Sequence, residues 1–171
     1  MASVRQILTA VEDSAPMASV ESVRAVPGGL EGDRYLTGRG YYSPYDVCEV
    51  TFVAREVLVE IRESTGIDLT GGRHRRNVVL QGIEVHDLLE TRFRIGDALF
   101  EGTRPRPPCA HLEAVAEEEG VARALTRGRG GICADVVDPG PFRVGDDVVV
   151  LESTATDWDG LASAIEERAE R

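Results

Sequence analysis

Apolar positions in this chain recur mostly in short alternating runs separated by glycine turns, and in only two central stretches at helical spacing. Val20 to Val26 (VESVRAV) alternates as a strand does. PGGLEGDRY follows as a turn in which Gly28, Gly29 and Gly32 allow positive φ. It neither opens a helix as GxGxxG does nor carries the Lys-Ser/Thr pair of a phosphate loop. Asp33 and Arg34 at its end either pair with neighbouring groups or face a ligand, and a plain turn satisfies the pattern equally well. Residues 35–46 read as an irregular surface loop. Val47 to Val53 is a short apolar strand. From Ala54 to Ser64, Val57, Leu58 and Ile61 fall at helical spacing and Gly66 ends the element. Arg55, Glu56, Arg62 and Glu63 form its solvated face.

The pattern continues with a Val-Val-Leu strand after Asn77 and an amphipathic turn around His86. RFRIGDALFEG is a hairpin turning at Gly96-Asp97, and FRVGDDVVVL reads as a last hairpin of the same turn type. His111 to Arg127 is helical by period, with a break at Gly120. In ICADVV, Cys133 is expected to face the core and be inert. The tail from Ser153 is a polar helix around Trp158, Leu161 and Ile165. Strands do not alternate with long helices, which excludes a doubly wound parallel sheet. The fold class is α+β and mainly β: a small, mostly antiparallel β-barrel decorated by two or three helices. Residues 1–152 form a single domain, and 153–171 pack on it as a helix or tail.

Composition narrows the setting. The chain has 171 residues, 42% hydrophobic, enough for one domain with a core. No apolar run approaches the ~20 residues that span a bilayer. The acidic residues of MASVRQILTAVEDSAPM do not suit a signal peptide. Three cysteines, Cys48, Cys109 and Cys133, are an odd number at wide spacing, which argues against a disulfide framework and makes a reducing cytoplasm the expectation. Net charge is −11, and arginine takes every position that lysine would fill. Adaptation to high salt or a GC-rich genome would each produce this. A chain so acidic is a poor nonspecific nucleic-acid binder, because counterion release needs a dense basic footprint.

Clusters of arginine are therefore informative. In TGGRHRRNVVL, Arg73, His74, Arg75 and Arg76 follow a glycine pair, and guanidinium forks match phosphate or carboxylate oxygens. This turn reads as an anion site; its alternative is pairing with surface carboxylates. Asn77 either holds the loop or donates to the same anion, and His74 is ambiguous. In GRGG, Arg129 stands beside Gly130 and Gly131, whose N–H groups suit an anion nest. The third segment, EGTRPRPPCAH, places Cys109 after Arg104, Arg106 and a stiff proline run. A thiol at a helix start near arginines favours the thiolate, the form that attacks electrophiles and binds soft metals. The alternative is a small buried hydrophobe. His111 points to a different face from Cys109 once a helix has begun.

Taken together, GLEGDRY, RRNVVLQGI, RFRIGDALFEGTR, PPCAHLE and GRGG…GPFRVGDDV, in this order, resemble the MOSC domain, named for the C-terminal domain of molybdenum cofactor sulfurases. The likeness runs over residues 20–151. It implies a β-barrel fold and binding of molybdenum cofactor (molybdopterin with its molybdenum), with Cys109 as the reactive residue and metal ligand. Arg73, Arg75, Arg76, Asn77, Arg104, Arg106, Arg129 and Gly130 would hold the cofactor. Two activities follow from the resemblance: an oxidoreductase acting on small N-hydroxylated compounds, or a sulfur carrier bearing a persulfide on Cys109. Many relatives carry a second cysteine just before the reactive one, where this chain has arginine and proline. Longer relatives also carry sulfurase or ferredoxin domains. A separate redox or sulfur-donor protein is therefore expected, and no pyridoxal phosphate, nucleic acid or membrane.

Overall fold

Strand β5 (Val50–Ala54) is buried along its whole length, so its side chains feed two apolar layers at once. Val50, Phe52 and Ala54 face one layer, while Val53 faces the other with Leu58 and Ile61 of helix α1 (Arg55–Thr65). A computed structural model of the protein describes residues 1–12, 14–38, 48–106, 120–125, 129–153 and 165–169. Around β5 the chain builds β1 (Ser3–Thr9), β2 (Ala18–Val20), β3 (Ser22–Val26), β4 (Gly29–Leu30), β6 (Val78–Gln81), β7 (Thr91–Ile95), β8 (Ala98–Pro105), β9 (Ile132–Asp138), β10 (Gly140–Arg143) and β11 (Val148–Ser153). A 3-10 turn spans Val85–Leu88 and a short helix Val121–Ala124.

The large sheet runs β11-β7-β8-β9-β5-β6-β1-β2, and a small one runs β10-β3-β4. Of these pairings, β5 with β6 is parallel, bridged by α1, and the others are antiparallel. The sheet curls as a half-barrel around Phe52, Phe93, Phe100 and Phe142. Phe52 meets Phe93 and Phe100 edge-on, at 5.3 Å between ring centres in both cases. Phe142 comes in from the small sheet, edge-on to Phe100 at 5.6 Å. Such contacts add ~0.5–1.5 kcal/mol each to the burial of the rings.

One rim of this half-barrel is pinned. The turn after β10 reaches β1: Val4 N–H donates to Asp146 O and Gly145 N–H to Val4 O, both at 2.9 Å, with a further bridge between Ser3 and Asp147. The two ends of the large sheet thereby meet at the N-terminal end of β1.

Helix α1 lies within a residue of its expected span, and Gly66 closes it at φ 79° with its N–H on Arg62 O. The Gly96-Asp97 hairpin is present between β7 and β8. The second hairpin is not. The arms of FRVGDDVVVL part company, β10 pairing with β3 and β11 with β7. Asp146 ties the turn by accepting from Arg143 N–H through its side chain, while its carbonyl serves β1. The cysteine expectation also changes. Cys133 is fully buried in β9 but disulfide-bonded to Cys48, with Cα atoms 5.5 Å apart. The register sets this up, because Cys133 stands opposite Thr51 at the start of β5. Among the described residues, no helix is long and apolar enough to cross a membrane.

Candidate functional site

At the rim opposite the pinned one, four loops meet through arginine. They follow β4, precede β6, follow β8 and precede β9. Arg76 is buried, and its guanidinium ties three of these loops to their own backbone. Nε donates to Gly130 O at 2.7 Å, one terminal nitrogen to His74 O at 3.2 Å and the other to Arg106 O at 3.4 Å. Arg106 N–H in turn donates to Gly131 O at 2.8 Å. Gly130 and Gly131 are glycine for space: a Cβ would run into Arg106 O at the first and Phe52 O at the second.

The loop after β4 supplies Asp33, Arg34 and Tyr35. Asp33 is fully buried and accepts from Ala10 N–H, Tyr35 N–H and Arg34, the last at 3.2 Å. Arg34 also donates to Arg75 O at 3.2 Å, joining this loop to the one before β6. Its guanidinium carbon lies 4.5 Å from the Tyr35 ring centre. Arg106 approaches the same ring at 5.7 Å and donates to the Tyr35 hydroxyl at 2.7 Å. Cation–π attraction of ~0.5–2 kcal/mol per pair helps hold two like charges about one ring.

Burying four guanidiniums (Arg34, Arg75, Arg76 and Arg106) is costly unless polar groups replace water. Here carbonyl oxygens do much of this. They orient Arg75 and Arg76, while Arg34 is also paired with the buried Asp33 carboxylate and Arg106 donates to the Tyr35 hydroxyl. Arg75 shows the strain involved: it holds φ 60°, a region unfavourable to arginine, while its side chain reaches Ala15 O at 2.5 Å and Glu12 O at 3.5 Å. His74 is fully buried beside it. Its Nδ1 accepts from Arg76 N–H at 2.9 Å, so the neutral ring carries its proton on Nε2, which has no partner among the described residues. Burial first, then the charges of Arg76 and Arg75, push its pKa down to about 3.

The structure thus brings together Arg75, Arg76, Arg106 and Gly130 of the expected site residues. Arg73 instead donates to Asp68 O at 3.1 Å, and Arg129 pairs with Glu60 of α1 at 2.8 Å. Arg104 is half-buried in β8, in register with Cys133. Asn77 takes the first of its two expected roles and holds the loop. It accepts from Thr51 N–H and Oγ1–H, both at 3.0 Å, and donates to Leu8 O at 3.2 Å. Cys109, Pro107, Pro108, His111 and Arg127 lie outside the described residues; in sequence, Cys109 follows Arg106 by three positions. Tyr35 is a site residue that the sequence reading passed over, whereas Arg34, left open there between pairing and facing a ligand, pairs with Asp33. The available signal was a charged Asp-Arg pair held between glycines and tyrosines.

Among the described residues, no group of three or more His, Cys, Asp or Glu side chains is placed to hold a metal ion. What the rim offers is cationic and N–H donors, including the orphaned Nε2–H of His74. That donor set fits the phosphate end of a pterin cofactor, with a thiolate needed from the adjoining segment for its metal.

A curled, mostly antiparallel sheet with few helices, its loops gathering buried arginines at one rim, defines a small β-rich domain of the α+β class. Residues 45–149 match the family model of the MOSC domain, well over half the chain, and the chain belongs to that family. No curated protein sequence matches it significantly. Solved structures share its fold. YuaD from Bacillus subtilis superposes with TM-score 0.73 at 20% identity, covering 88% of this chain and 96% of that one. YiiM from Geobacillus stearothermophilus gives 0.69 at 20%, covering 89% and 76%. YiiM from Escherichia coli gives 0.65 at 16%, covering 90% and 72%.

Proposed function

We propose that this MOSC protein binds molybdenum cofactor and reduces small N-hydroxylated compounds, with Cys109 as the protein ligand to molybdenum. The observation that supports this most is the meeting of the Arg34, Arg75, Arg76 and Arg106 loops where the Cys109 segment begins. Arg34 and Arg106 would face the phosphate from either side of Tyr35, while Arg76 and Asn77 keep the loops in register. The His74 Nε2–H would donate to a phosphate oxygen, and its low pKa keeps the ring neutral. Positive potential at this rim would hold Cys109 as thiolate. The cofactor, when bound, supplies metal-centred two-electron chemistry. The overall reaction, N–OH plus two electrons and two protons giving N–H and water, takes its electrons from a separate redox protein.

The test is the molybdenum and pterin content of the chain purified from a cofactor-producing host, beside Cys109→Ala. Near-stoichiometric metal lost in the variant supports the reading. Equal metal and equal reductase activity in both would overturn the ligand assignment.

One observation favours a second reading, a sulfur carrier. Cys48 and Cys133 are bonded to each other, which leaves Cys109 as the third cysteine, so a sulfur atom carried there would not be lost to a resolving thiol of the same chain. A mass increase of about 32 Da on Cys109 after exposure to a sulfur donor would support it.

A further inference from the structure

A second concentration of arginine lies on the other layer of the sheet, where α1 crosses β1 and β6. Arg5, Gln6, Arg55, Leu58, Arg62, Thr70 and Val79 line a groove of about 440 Å³. Its arrangement follows from two local features. On α1, Arg55, Leu58 and Arg62 fall at i, i+3 and i+7, one face of the helix. On β1, the pairing with β6 slips between Val4 and Gln6, a bulge centred on Arg5. Successive strand residues ordinarily face opposite sides, and a bulge re-aims them. Arg5 and Gln6 consequently line the same groove.

These three arginines close no ion pair and donate no side-chain hydrogen bond among the described residues, although acidic residues outnumber basic ones by 30 to 19. The neighbouring carboxylates are engaged elsewhere. Glu56 accepts from Gly82 N–H at 2.9 Å, and Glu60 pairs with Arg129. Asp68 feels Arg62 at a distance, and its Oδ1 is taken by the N–H and hydroxyl of Thr70. Buried Leu58 and Val79 form the floor.

We propose that this groove binds a small molecule bearing two or more anionic groups, of the oligophosphate class, clasped by Arg5, Arg55 and Arg62. Seven residues of helix separate Arg55 from Arg62 by about 10 Å. Anionic groups spaced along the groove would give each arginine its own partner. The open groove has the volume of a small-ligand site, within the usual range of about 300–1,000 Å³. The inference stands apart from the Cys109 site.

Calorimetric titration of the full chain with tripolyphosphate, and separately with inorganic phosphate, tests it. Tripolyphosphate should bind at least about tenfold more tightly than phosphate, and Arg5→Gln/Arg62→Gln should weaken it by about tenfold or more. Arg24→Gln/Arg143→Gln removes the same charge from exposed positions on the small sheet and should leave affinity unchanged. Thermal midpoints of both variants check that each is folded. Equal weakening by the two pairs, unchanged affinity in the groove variant, or no preference for tripolyphosphate would each overturn the proposal. So would tighter binding of a polyglutamate peptide than of tripolyphosphate, which would make the groove a docking site for an acidic protein segment.

Discussion

The Arg76 Nε–H donates to the carbonyl of Gly130 at 2.7 Å, across 54 residues of chain. With His74 O and Arg106 O on its other nitrogens, one side chain supplies backbone partners for three separate loops. Arg76→Met would keep the apolar stem and strand three carbonyls. A loss of about 3 kcal/mol in urea unfolding is expected, because buried groups left without partners cost ~1–3 kcal/mol each and some would recover water. Arg76→Lys should restore little, since one ammonium cannot reproduce the planar fork.

His74 gives stability a pH dependence. Its folded pKa of about 3 lies below the ordinary histidine value of 6.5, so between these values the unfolded chain binds the proton and the folded chain does not. Its contribution is complete above about pH 6.5 and is lost as pH falls toward 3, by ~1.4 kcal/mol per unit at most. His74→Gln should flatten the slope of unfolding free energy across this window relative to wild type. Parallel slopes in the two proteins would rule out His74 as the source.

Cysteine pairing is countable. Under denaturing, non-reducing conditions the chain should titrate one thiol, rising to three after reduction. The bond spans 85 residues, and removing it as Cys48→Ala/Cys133→Ala should cost about 2–4 kcal/mol and lower the melting temperature.

Asn77 distinguishes shape from chemistry. Asn77→Asp keeps the acceptor for Thr51 but sets a buried carboxylate against Leu8 O, where an N–H now donates. It should therefore destabilise more than Asn77→Ala, which is expected to cost about 2 kcal/mol. Chemical denaturation of the pair decides the order.

Period and turn chemistry made α1, the β7–β8 hairpin and the mainly β class readable, because those features depend on neighbours in sequence. The β10–β11 separation was not readable: Gly145 suits a hairpin, and partners far along the chain, β3 for one arm, β7 for the other and Val4 and Glu21 for the turn, pull its arms apart. Cysteine spacing hid the disulfide for a similar reason, since Cys48 and Cys133 meet through the β5–β9 register. At the site, arginine content announced a basic cluster but not its membership. Arg75 and Arg129 look alike in sequence, and one is buried while the other pairs with Glu60 on the surface. Strand β1 escaped notice because its bulge breaks the alternation that marks a strand.

The turn carrying Gly145 and Asp146 fastens one rim, and the arginine loops sit at the other. Such a sheet resembles a drawstring bag stitched at its base by backbone and gathered at its mouth by side chains. Slow amide exchange is expected at Val4 and Val148, whose N–H groups form the seam, whatever is in solution. Exchange at Arg106 and Arg34, whose amides bond Gly131 O and Ala10 O at the arginine rim, should be what a bound anion slows.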